Sequence, residues 1–73
     1  MKTVNHYDIY DEKRAINGCV SVEFTALAAN EERVKEMAEE MGIDLAGYTI
    51  DLTRTDCKDE MGRSFKERFT PEF

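Results

Sequence analysis

His6 is the only histidine in the chain, and Asp8 and Asp11 follow it within the stretch Asn5 to Asp11. Two residues apart on an extended strand, His6 and Asp8 project from one face. An imidazole beside carboxylates can hold zinc, manganese or iron, with Asp51 or Glu23 approaching from a neighbouring strand. A catalytic zinc site takes three protein ligands, however, and an open sheet face has nothing to exclude water. The expectation is therefore a solvated strand with no metal and no cofactor. The two thiols, Cys19 and Cys57, lie far apart in sequence. A cysteine nucleophile needs a general base, and His6 is the only conventional candidate for Cys57, with no local sequence to link them. There is no glycine-rich phosphate loop, G-x-S-x-G, H-E-x-x-H or C-x-x-C. The chain is expected not to be an enzyme.

The elements that position these residues can be read from periodicity. In Val4 to Tyr10, Tyr7 and Ile9 alternate with His6, Asp8 and Tyr10, the period of a half-buried strand. Cys19 to Leu27 alternates likewise, with Val20, Val22, Phe24 and Ala26 on one face and Ser21, Glu23 and Thr25 on the other. Ile16 extends that parity towards Ala15, and Asn17-Gly18 is either a turn or a bulge. Asn30 to Met41 reads as a helix. Asn30 is its N-cap, Glu31 and Glu32 suit the positive end of the dipole, and Val34, Met37, Ala38 and Met41 form an apolar stripe. Gly42 ends it, with Ile43 folding back on the last turn. Tyr48 to Thr55 is a third strand, with Tyr48, Ile50 and Leu52 inward. Lys58 to Gly62 reads as a turn. Ser64 to Thr70 is expected to pair back on Tyr48 to Thr55 as a fourth strand, though Gly62 and the Phe65, Phe69, Phe73 spacing leave a helix open. Pro71 ends either.

The expected fold is α+β: an antiparallel sheet of three or four strands, in the order ββαβ or ββαββ, with one helix on one face and the other face wet. Residues 1–73 are expected to form one small domain. Phe65 and Phe69 complete the core, and Val22→Asp is expected to unfold the protein. This element order is similar to the β-grasp of ubiquitin-like proteins, and to half of a ferredoxin-like domain. The C-terminal Pro71-Glu72-Phe73 lacks the diglycine of a conjugated ubiquitin-like protein, and no residue motif carries a family assignment.

Charge points towards partners. The chain carries 16 acidic and 10 basic side chains, net −6. The excess sits in residues 31–51, with seven acids against two bases, while residues 52–73 carry five of each. No basic stripe of the kind that replaces counterions on phosphates is visible. Arg54, Lys58, Arg63, Lys66 and Arg68 are offset by five acids in the same segment, so no direct nucleic-acid binding is expected. The longest apolar run is Ala26 to Ala29, far short of a membrane span, and nothing resembles a secretory leader. A cytoplasmic protein with reduced thiols is expected. The functional expectation is a non-catalytic interaction module, monomer or homodimer. Its helix acids Glu32, Glu36, Glu39 and Glu40 would occupy a basic or nucleic-acid-binding surface of a protein partner. Small acidic chains of this sort suit inhibitors encoded by phages and mobile elements against host defence, anti-CRISPR-like in use. The alternative is a regulatory or structural subunit that self-associates through an edge strand.

Overall fold

The computed structural model describes residues 3–14 and 17–72. Four strands, β1 (Val4–Tyr10), β2 (Phe24–Ala28), β3 (Thr49–Cys57) and β4 (Arg68–Pro71), and one helix, α1 (Glu31–Glu40), follow in the order ββαββ. The sheet is antiparallel throughout, in the spatial order β3-β1-β2-β4. This is the expected α+β class. It lacks the parallel central pair of a β-grasp, so the likeness to that fold ends at element order.

The helix forms where its signals place it. Asn30 Oδ1 accepts the Arg33 backbone N–H at 2.9 Å. At the other end Gly42, at φ 77°, donates to the Glu39 carbonyl at 2.9 Å, and Ile43 donates to the Ala38 carbonyl at 2.8 Å. These are the paired closing bonds of a Schellman cap. Val34, Met37 and Ala38 are buried, whereas Met41 has left the stripe and is 51% exposed at the cap. The stripe packs on β2 and β4, where Phe24 and Phe69 stack at 5.2 Å between ring centroids. Tyr7, Ile9, Ala26 and Ala28 complete the core from below.

One helix is about 10–12 Å wide, and four strands span about 14 Å between outer axes. Centred over β2 and β4, α1 leaves β1 and β3 to be covered by the loop after it. Ile43, Leu45 and Tyr48 from that loop pack with Ile50 against the core, and Tyr48 meets Phe24 edge-on at 5.7 Å. Leu52 lies beyond this cover and is 49% exposed, contrary to its expected place in the core.

Three further expectations are corrected. The strand expected over Cys19 to Leu27 begins only at Phe24. Ile9 pairs with Phe24 and Glu23 donates to the Ile9 carbonyl, while on the other side Glu72 donates to the Glu23 carbonyl. Beyond Glu23 neither β1 nor β4 continues, and residues 20–23 are not in a strand. Val20 and Val22 are each 36% exposed and outside the core. Asn17 and Gly18 form a turn, both with positive φ, and the extension towards Ala15 and Ile16 lies outside the described residues. The fourth strand is present but pairs with β2, Ala26 opposite Phe69, and not with β3. Pairing with β2 brings Phe69 beneath the helix; the outer edge of β3 would leave it where Leu52 is already exposed. Phe65 points elsewhere and is 40% exposed, and Phe73 lies outside the described residues.

Val22→Asp is now expected to leave the protein folded, within about 1 kcal/mol of the parent. Ile9→Ala, at a fully buried site, is expected to cost about 2–5 kcal/mol. Urea denaturation of the two variants separates the burial pattern described here from one with Val22 inside.

Candidate binding surfaces

The outer side of α1 carries Glu31, Glu32, Lys35, Glu36, Glu39 and Glu40, all exposed. Arg33 lies at the flank and organises part of this surface. Its Nη1 is 3.5 Å from Glu36 and 3.8 Å from Glu40, and its Nε is 3.3 Å from Glu67. Of the four expected contact acids, Glu36 and Glu40 are thus partly neutralised. Among the described residues, Glu32 and Glu39 make no ion pair.

Beside the helix runs a groove of about 750 Å³. Its apolar lining comes from Ile43, Leu45, Tyr48 and Ile50, and Glu31 and Glu39 stand on its rim with Lys35. Residues 42–48 were legible only as a loop in the sequence. The spacing of Ile43, Leu45 and Tyr48 signals no helix or strand, and their convergence follows from the need to cover β1 and β3.

The polar face of β1 places His6 and Asp8 together, Nδ1 to Oδ1 at 3.6 Å. His6 Nδ1 also hydrogen-bonds the Thr53 hydroxyl, which in turn donates to the His6 carbonyl at 3.1 Å. Asp51 pairs opposite Asp8, two like charges side by side and unfavourable without a counter-ion. Among the described residues, no group of three or more His, Cys, Asp or Glu has a metal-binding arrangement. Cys19 is exposed and Cys57 half-buried, both free. Cys57 lines a hollow that His6 also borders.

The polar face is not uniformly wet. Val4 and Leu27 lie on it and are buried. Two bulges in β3 alter the parity there: Leu52 stands opposite Tyr7, yet Arg54 stands opposite His6 on the other face. A regular strand would have sent Arg54 to the same side as Leu52. Sequence alternation alone had no means of showing this reversal.

With no group of three or more His, Cys, Asp or Glu placed to hold a metal among the described residues, His6 is expected to bind none tightly. Added zinc or manganese is expected to leave the thermal midpoint unchanged; a rise that His6→Ala removes would contradict this.

Among the described residues, no helix is long and apolar enough to cross a membrane. Comparison with known proteins finds no matching family model, no matching curated protein and no matching solved structure.

Proposed function

We propose that the protein is a non-catalytic interaction module that docks α1 and the adjoining groove on a basic surface of a protein partner, with Glu32, Glu36, Glu39 and Glu40 as contact acids. The observation that carries this reading is the groove itself, with its apolar floor from Ile43, Leu45, Tyr48 and Ile50 and acidic residues on its rim. Interfaces are built in this way, with an apolar centre that excludes water and a polar rim that sets orientation. An acidic rim favours a partner segment that presents Lys or Arg around an apolar anchor. Glu32 and Glu39 are the acids with charge to spare, because Arg33 is drawn to Glu36, Glu40 and Glu67. Occlusion of a nucleic-acid-binding surface is the simplest use of such a module, in the manner of an inhibitor of host defence.

A second reading draws on β3. It is a nine-residue strand at the edge of the sheet, paired only with β1, with Leu52 exposed along it. Such an edge is a template for pairing with a second copy. If that is its use, sedimentation should show a mass that rises with concentration, and Leu52→Lys should abolish the rise.

Retention of lysate proteins on the immobilised protein tests the first reading. One basic protein is expected to be retained at low salt, to be released as salt rises, and to be lost when Glu32 and Glu39 are both changed to Lys. Retention of the same partner by that double variant would contradict the assignment of the acids. Loss with Leu45→Asp but not with the double charge reversal would transfer the binding energy to the groove floor.

A further inference from the structure

We propose that the face opposite the helix binds a segment of single-stranded nucleic acid, its phosphates on Arg54, Lys58, Arg63, Lys66 and Arg68 and one base stacked on Phe65. This surface is independent of the helix face and its groove.

The site arises from a topological requirement. β3 and β4 lie at opposite edges of the sheet, so residues 58–67 must cross two intervening strands, about 14 Å. The crossing begins in a tight turn. Asp59 Oδ1 accepts the backbone N–H groups of Met61 and Arg63 at 2.9 Å each, and Asp59 N–H donates to the Arg63 carbonyl at 2.7 Å. The chain then lays Phe65 beside Leu27. Two hollows of about 390 and 370 Å³ result, both bordered by Leu27, Phe65 and Arg68. Arg63 and Lys66 line one; Arg54 and Lys58 line the other. Half of the chain's ten basic residues thus meet around one exposed aromatic ring.

Five acids of the same segment offset these bases in sequence, but Glu67 and Glu72 are held by partners outside the two hollows. Glu67 lies on Arg33 and the Ala29 backbone N–H. Glu72 accepts the Thr25 hydroxyl at 2.8 Å; Asp59 borders the hollow of Arg63 and Lys66 with its carboxylate held by the backbone of its own turn, and Glu60 is exposed in that turn. Among the described residues, Asp56 alone makes an ion pair with one of these bases, 3.7 Å from Lys58. Among the described residues, Arg54, Arg63, Lys66 and Arg68 make no ion pair. The helix acids stand on the far side of the sheet, in a molecule 18 Å across its thinnest direction. Screening at physiological salt extends only about 8 Å, so the helix acids do not cancel the local field; Asp8 and Asp51 share this face but line neither hollow.

The aromatic ring decides the class of ligand. Cations alone attract any polyanion, an acidic peptide included. An exposed ring with arginines beside it is a platform on which a nucleobase stacks, and stacking of this kind tolerates any base. Two hollows flanking one ring match a flexible single strand passing over it. A duplex would need an element that projects into a groove, and this surface is recessed.

Fluorescence anisotropy with labelled oligo-dT and oligo-rU, against the full chain, tests the proposal. Binding is expected at low salt, with log affinity falling against log salt at a slope of about −3 for four to five phosphate contacts. Phe65→Ala is expected to weaken binding about 5- to 150-fold. Arg54→Gln and Arg68→Gln should each flatten the slope by about 0.7, and Lys35→Gln, on the helix side, should leave both affinity and slope unchanged. All four variants are at exposed positions, and circular dichroism checks that each is folded. Absence of oligonucleotide binding at low salt would overturn the proposal. So would equal binding of oligo-glutamate with no effect of Phe65→Ala, which would assign the surface to an acidic peptide.

Discussion

One ten-residue helix has to cover one face of a four-stranded sheet, and it is too narrow to do so. Much of the architecture is a response to that shortfall. The helix sits over β2 and β4, and the Schellman cap turns the chain back so that Ile43, Leu45 and Tyr48 cover β1 and the start of β3. Where the cover ends, Leu52 is exposed and a groove opens beside the helix. A longer helix, or a second one, would have filled that groove and left a plain acidic surface.

The strand order imposes the second constraint. With β3 and β4 at opposite edges, the chain crosses the sheet twice. The first crossing, after β2, contains the helix and its loop and takes the face rich in apolar side chains. The second, residues 58–67, brings Phe65 against Leu27 on the other face. Charge follows the chain. The acidic segment 31–51 is folded mainly onto one side, and the bases of residues 52–73 collect on the other. The net charge of −6 describes neither surface. Arg33 and Glu67 join the two halves at 3.3 Å, which removes one acid from the basic side and one base from the acidic side.

The parts legible in sequence were those fixed by local physics. Strand β1 has the bounds its alternation gives, and the helix has the cap residues its composition announces. The turn at Lys58 to Gly62 follows from a glycine that takes positive φ, and Asn17-Gly18, open between turn and bulge in the sequence, is a turn. The parts that were not legible depend on partners. Alternation in Val20 to Val22 reports suitability for a half-buried strand, but neither β1 nor β4 extends that far. The pairing of β4 with β2 depends on which edge lies beneath the helix. The orientation of Arg54 depends on bulges created by the mismatch between β1 and β3, and Asp56 takes φ 52° next to one of them. For the four acids proposed to contact a partner, the exposed positions of Glu32, Glu36, Glu39 and Glu40 were legible; that Arg33 would mask two of them depended on where Glu67 arrives.

The strand order is the claim on which both surfaces rest, and cross-strand proton contacts in solution report it directly. A nuclear Overhauser spectrum of the isotope-labelled protein is expected to show backbone contacts between Ala26 and Phe69 and between Thr25 and Thr70, the register of β2 with β4. Contacts from residues 64–70 to residues 48–55 instead would place β4 on β3. Residues 58–67 would then have no sheet to cross, and the basic hollow around Phe65 would not exist.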